Sequence, residues 1–408
     1  MSIRIGTKLI AAFIPVILLM VALALYLTSI SQKSLRQSVG ESSMFLAEEM
    51  LKRISRSIYL KIELLQSHSH NILIQKLLLE SNREFKKFDS VEEYITQKDR
   101  EWISVPKDQI TPLTQHLINN ELANNLRQEI VEFYRKKYGY TIFEEIFITN
   151  RHGANVAQTT KTSDYKQDDE DWWQIAKERK VYVSDVEYDD SSQSHGITIG
   201  IRIDDNTGNF MGILKAVLSV KEIIREAEIA IKKYETTNTL LIRKDGLLLY
   251  RTSAFKLMED VSNKDLFKMA QNERGFFTAV DNGTEKLFSY AHAKGYREFG
   301  GLGWILMVVY DIEEILQPTY RLRNTMFAAS FILIAMGIII AFLMSRSIIR
   351  PIAILSKGVE IIGKGDLEYR IEPQTKDEIG ELTTAFNKMT ERHKQSKEQI
   401  LRQSAVLE

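Results

Sequence analysis

Leu9–Ile30 reads LIAAFIPVILLMVALALYLTSI and Asn324–Ser345 reads NTMFAASFILIAMGIIIAFLMS; neither 22-residue stretch holds a charge, and 293 residues separate them. A helix needs roughly 20 apolar residues to cross the hydrocarbon core of a bilayer. The pattern predicts two spans, with residues 31–323 held on one side of a membrane. The first stretch follows Arg4 and Lys8 as a signal peptide would. It exceeds the roughly 7–15 apolar residues of a cleavable core, so an uncleaved anchor is expected. Charge favours both ends inside. Arg4, Lys8, Arg346, Arg350, Lys357 and Lys364 face Lys33, Arg36, Arg321 and Arg323, a six-to-four excess.

The 408 residues carry 54 basic and 54 acidic side chains and no cysteine. Balanced charge gives no electrostatic case for nucleic acid. Without cysteine there are neither disulfides nor thiolate metal sites, so a hydrophobic core must hold the exported part. No metal and no cofactor are expected. No phosphate loop, GxSxG, HExxH or cysteine-based site occurs, and no catalytic residue is assigned. His393 lacks the following acid and proline of a phosphoacceptor helix.

Between Glu41 and Val105 there is neither Gly nor Pro, and Leu51, Ile54, Ile58, Leu65 and Ile72 recur at helical steps. A long stalk helix is expected there, continuous with the first span. Beyond about Tyr138 the texture changes to strands and turns, with a weak internal repeat. Phe147–Gly153 is matched by Leu241–Gly246, each an apolar strand entering a glycine turn. Leu214–Ile223 is matched by Leu306–Ile315, each a buried-type strand running into a short helix. Two α/β modules of one plan explain the repeat.

After Ser345, Pro351 suits a first helical turn, and Ile352, Leu355, Val359 and Ile362 step by three, four and three. Gly363-Lys364-Gly365 breaks that helix. Leu367 and Ile371 lie in a connector, and a second helix opens at Asp377-Glu378. Its seam is Ile379, Leu382, Phe386 and Met389. Two short helices with such seams bury them by bundling, so a homodimer with four parallel helices is expected.

Residues 348–392 resemble a HAMP domain through Pro351, Gly365-x-Leu367-x-x-x-Ile371, Asp377–Leu382 (DEIGEL) and Phe386–Met389 (FNKM). The resemblance implies a cytoplasmic dimeric relay, with Pro351, Gly365, Leu367, Ile371, Glu378 and Phe386 as relay residues. Residues 31–322 resemble a double Cache domain through Asp171–Gln174 (DWWQ), Val183–Tyr188 (VSDVEY) and Gly212–Leu214 (GIL). That implies two PAS-like modules outside the cell, the membrane-distal one binding a small ligand.

The fold class expected is α+β. The segments are residues 1–8 inside, span 9–30, stalk and distal module 31–224, proximal module 225–323, span 324–345, HAMP unit 346–398 and linker 399–408. The expected setting is a bacterial inner membrane. The expected output lies beyond Glu408: a histidine kinase with its response regulator, or alternatively a chemotaxis or cyclase module.

Around the ligand place of amino-acid-binding double Cache members, Tyr165, Trp172, Trp173 and Tyr188 fit the aromatic positions. The arginine position is Glu170 and the aspartate position Val217, so amino-acid specificity does not carry over. Two readings remain open. The aromatics with Asp185 and the neighbouring acids form a cage for a cationic amine, or the tryptophans cover the core and the acids are a solvated rim. Arg202 and Lys215 add an anionic alternative, against snorkelling or pairing with a rim acid. Ca²⁺ at the acids is a third option without the spacing of an EF-hand.

Overall fold

The computed structural model describes residues 5–107, 109–228 and 234–405, so Arg4 and the last three linker residues lie outside it. The chain divides into two units, Arg36–Ile315 and Met1–Leu35 with Leu316–Glu408.

Helix α1 (Ile5–Ser69) contains the first apolar stretch and the stalk. Leu51, Ile54, Ile58 and Leu65 are buried along it, as their spacing requires. Ile72 is not; it is 83% exposed. The helix has stopped at Ser69, and the Asn71 side chain accepts from Leu73 N at 2.8 Å to cap α2 (Ile72–Phe85), which resets the phase. Helices α3 (Val91–Ile103), α4 (Pro112–Asn119) and α5 (Glu121–Leu126), a π-helical stretch Arg127–Glu132 and α6 (Phe133–Tyr138) follow. Gly139, at φ 82°, closes α6.

The first module holds β1 (Phe143–Asn150), β2 (Asn155–Gln158), α7 (Asp171–Arg179), β3 (Val181–Asp189), β4 (Ser194–Asp204) and β5 (Phe210–Ser219). Its antiparallel sheet runs β2-β1-β5-β4-β3. Trp172 and Ala176 of α7 approach one face at Gly200, while Leu78 of α2 approaches the other at Gly212. This central sheet, covered on both faces, accounts for the nearly continuous burial of β1 and β5.

Helix α8 (Val220–Glu228) leads to the second module: β6 (Asn238–Ile242), β7 (Leu247–Arg251), β8 (Glu259–Asp260), α9 (Asp265–Lys268), β9 (Arg274–Asp281), β10 (Thr284–His292) and β11 (Ile305–Asp311). Its order is β8-β7-β6-β11-β10-β9. The repeat is visible as matched turns, with Gly153 at φ 81° and Gly246 at φ 93°. Residues of α1 dock on this module through Ser43 Oγ to Tyr310 OH at 3.1 Å and Arg274 to Glu48 at 2.6 Å.

The second repeat strand does not enter a short helix. It enters α10 (Ile312–Met344), 33 residues long, because the apolar run beginning near Asn324 continues the helical pattern. A π-helical stretch Ser345–Ile349, α11 (Arg350–Gly363) and α12 (Glu378–Ala405) complete the chain. In α1 and α10 the apolar stretches point outward, with Leu18 64%, Leu19 69% and Phe331 72% exposed. These helices are long and apolar enough to span a bilayer. The fold is α+β with two membrane spans.

Gly212 pairs with Asn150 across β5 and β1, and a Cβ there would lie 2.0 Å from the Thr149 carbonyl oxygen. That oxygen belongs to a paired strand and cannot yield. Gly212→Ala is expected to cost about 1–3 kcal/mol and several degrees of melting temperature. Gly300→Ala, with nothing within 4 Å, should leave the melt unchanged.

Candidate functional site

A cavity of about 670 Å³ opens on the α7 side of the first sheet. Trp172 comes from α7, Tyr182, Ser184, Glu187, Tyr188 and Asp189 from β3, Thr198 from β4 and Lys215 from β5. Strand alternation explains the set: Thr198 and Gly200 share a face, and Gly200 stands opposite Lys215. A bulge between Val183 and Val186 inserts one extra residue into β3. Ser184 and Glu187 thereby both line the cavity, while Asp185 does not.

Lys215 is 6% exposed and lies over the rings of Trp172 and Phe147, 5.2 and 5.3 Å from their centroids. Its ammonium is held by Asp189 Oδ2 at 3.1 Å. Burial works to raise the Asp189 carboxyl, but the Lys215 charge and the Ser192 hydrogen bonds outweigh it and hold the group below the usual carboxylate range. Lys215, the one cation lining the cavity among the described residues, is therefore matched within the protein.

Among the described residues seven carboxylates line the cavity: Asp164, Asp169, Glu170, Asp171, Glu187, Asp189 and Asp190. Asp169 meets Lys166 at 3.5 Å, and Asp189 meets Lys215. Among the described residues Glu170, Asp171, Glu187 and Asp190 form no ion pair. Burial raises the Asp164 and Glu170 carboxyls above their ordinary values. Among the described residues no acids converge as a metal-binding group.

Behind the cavity lies Glu145 of β1, fully buried. Its Oε1 accepts from Ser191 Oγ at 2.8 Å and Thr160 Oγ1 at 3.3 Å, and its Oε2 has no hydrogen-bond partner among the described residues. Burial pushes its pKa up to about 7, opposed by Lys215 and by the Ser191 bond.

Of the seven ligand residues expected from the sequence, Trp172, Tyr188 and Lys215 line the cavity. The other four lie elsewhere. Trp173 follows Trp172 by one helical position and so faces about 100° away. It is 1% exposed and donates Nε1–H to Thr149 Oγ1 at 2.9 Å under Phe210. Tyr165 packs with Trp102 in a separate cluster, its backbone N–H on Asp99. Arg202 donates to Asp204 Oδ1 at 2.7 Å and to the Lys177 carbonyl, its guanidinium over Phe210. Asp185 accepts from Trp304 Nε1 at 2.8 Å in the second module. Tyr182, Ser184, Thr198 and Asp164 were missed. Alternation along Val181–Tyr188 would have found Tyr182, but the bulge and the loop carrying Asp164 leave no sequence signal.

In the other unit, Pro351 opens α11 and is buried. Gly365 turns at φ 109°, Leu367 and Phe386 are half-buried and Ile371 is 2% exposed. A Cβ on Gly358 would meet Ile371 Cγ1 at 2.4 Å, so the glycine admits that side chain. Asn387 holds the connector from both sides, Oδ1 taking Ile371 N–H at 3.0 Å and Nδ2 donating to Ile371 O at 2.7 Å. Asp377, rather than the exposed Glu378, caps α12 by accepting from the N–H groups of Ile379 and Gly380.

Two spans, a two-module domain with an internal cavity and a helix–connector–helix joint define a transmembrane sensor. The chain belongs to the Cache domain family, whose model matches residues 31–319, and a HAMP domain occupies residues 343–392. It is similar to methyl-accepting chemotaxis protein McpA of Bacillus subtilis, 25% identical over 253 residues, 59% of this chain and 35% of McpA. It is also similar to methyl-accepting chemotaxis protein PctB of Pseudomonas aeruginosa, 24% identical over 154 residues, 37% of this chain and 24% of PctB. The chain thus spans about a third or less of the length of these relatives. Among solved structures, the ligand-binding domain of PctB with L-Arg matches with a TM-score of 0.40 and 14% identity, over 67% of this chain and 96% of that one.

Glu145 yields a pH prediction. Its folded pKa of about 7 exceeds the ordinary 4.5, so between those values the folded state binds more protons than the unfolded one. Its contribution is fully present below pH 4.5 and is lost as pH rises through about 7. Glu145→Gln should match the parent's melting temperature near pH 4.5 and exceed it near pH 8, measured by thermal melts across that range.

Proposed function

We propose that this chain is the input half of a chemotaxis receptor whose first module binds a small organic cation. The observation that carries the ligand class is the charge balance of the cavity among the described residues: seven carboxylates, one ammonium, and that ammonium already paired with Asp189. An anionic ligand would have to displace Asp189 and then face the uncompensated acids. A zwitterion would gain at one end and lose at the other. A cation meets Glu170, Asp171, Glu187 and Asp190, with the rings of Trp172, Tyr182 and Tyr188 beside them. Each cation–ring contact is worth about 0.5–2 kcal/mol.

The output reading rests on the chemotaxis relatives, which favour a chemotaxis module over the histidine kinase suggested by residues 399–408. Unbroken α12 over 28 residues suits a continuous signalling helix. The sensor domain then faces outward from a bacterial inner membrane, and the cytoplasmic partner is a chemotaxis signalling protein. A homodimer is supported by seams left uncovered in one chain, where Ile352, Val359, Leu382 and Met389 are 40, 39, 55 and 58% exposed.

The test compares three probes of one shape and different charge: choline, glycine betaine and 3,3-dimethylbutyrate. In thermal melts of the chain in nanodiscs, choline at a hundred times its dissociation constant should add about 2.7 kcal/mol. The shift should disappear in Tyr188→Ala and shrink in Asp190→Asn. Stabilisation by dimethylbutyrate or betaine without choline would sink the cationic reading.

A further inference from the structure

Asp185 sits where the cavity wall meets the second module. Its neighbours Ser184 and Glu187 line the cavity, and the β3 bulge sends Asp185 the other way. Oδ1 accepts from the backbone N–H of Val186 at 2.7 Å and from Trp304 Nε1–H at 2.8 Å. Oδ2 lies 3.7 Å from Arg243 Nε, and Arg243 also donates to the Val186 carbonyl and pairs with Asp245 at 2.8 Å. Trp304 is 2% exposed and directly precedes β11; Arg243 directly follows β6. β6 and β11 pair with each other and form the centre of the second sheet. The bulge is also bonded to the cavity side: Ser184 Oγ donates to the Asp185 carbonyl at 2.7 Å and accepts from Thr198 N–H at 2.9 Å.

We infer that Asp185 is a latch through which the state of the first-module cavity reaches the second module, by way of Trp304 and Arg243. Three properties make it suited to that role. Its two partners stand at the ends of the paired central strands, so a displacement enters the sheet at its middle. The contact is shielded, with the side chains of Arg243 and Asp185 13 and 14% exposed, so its ion pair and the Trp304 hydrogen bond are not readily replaced by water. The bulge is a short irregular segment with a backbone bond on its cavity side and a charged bond on its outer side. A rearrangement of Ser184 or Thr198 on occupancy would act on the Asp185 backbone through the Ser184 bond. Such a step between two bonded arrangements is how packed interfaces switch.

The inference rests on the cavity being the sensing site, yet it is tested without any ligand, by changing the cavity through substitution. Thr198→Trp fills it and Tyr182→Ala enlarges it. Hydrogen–deuterium exchange is followed in the full chain in nanodiscs, for peptides covering 238–242 and 304–311. The expected result is a shift of at least threefold in opposite directions for the two variants. Both shifts should be absent when Asp185→Ala is added, and partly retained with Asp185→Asn, which keeps an acceptor for Trp304. A merely structural Asp185 would raise exchange in both peptides by one factor whatever the cavity held. Equal responses with and without Asp185, or none in the parent background, would overturn the latch. A latch that holds while choline fails to stabilise the chain would put the error in the ligand class alone.

Discussion

The buried pair of Lys215 and Asp189 is the constraint on which the site depends. An ammonium on the central strand of a sheet is costly to desolvate unless it is matched. Asp189 supplies the match from the end of the edge strand, reaching across β4, and Trp172 and Phe147 supply ring faces. Breaking the pair by removing either member leaves a buried charge, which typically costs 3–5 kcal/mol. The pair thus fixes the far end of β3 against the sheet and neutralises Lys215, the one cation that lines the cavity among the described residues. The rest of the lining is acidic, aromatic and neutral polar, the last from Ser163, Gln167, Ser184, Ser191 and Thr198.

Much of the architecture was legible because it rests on long-range periodicity. Two uncharged runs marked the spans, helical steps at Leu51, Ile54, Ile58 and Leu65 marked the stalk, and the matched strand–turn pieces marked two modules. The HAMP joint was legible as a helix–connector–helix pattern, although the cap of the second helix falls on Asp377 and not on Glu378. Ile72 misled because a cap at Asn71 interrupts the phase without any Gly or Pro to announce it. The site was only partly legible. Trp172 and Trp173 look equivalent in sequence, and only the helix rotation decides which one faces the cavity. Arg202 and Asp185 looked like ligand groups because their partners, Asp204 with the Lys177 carbonyl, and Trp304 with Arg243, are fixed by tertiary packing.

The duplicated modules differ in a way that bears on mechanism. The first keeps a polar cavity beneath α7, and its strand β5 leads to the nine-residue α8. The second is filled by an apolar core that includes Leu240, Phe288, Tyr290 and Met307, and its strand β11 leads into α10. One repeat keeps an open polar cavity, and the other runs into the helix that carries the second apolar span. A packed second module suits transmission, because close-packed cores move between discrete arrangements rather than deforming smoothly.

The most direct measurement is a crystal structure of the chain grown with bromocholine, located by the anomalous signal of its bromine. The account predicts a peak inside the first-module cavity, beside Trp172, Tyr182 and Tyr188, with Lys215 still on Asp189. A cavity without bromine, or one holding a carboxylate ligand on a Lys215 that has left Asp189, would contradict it.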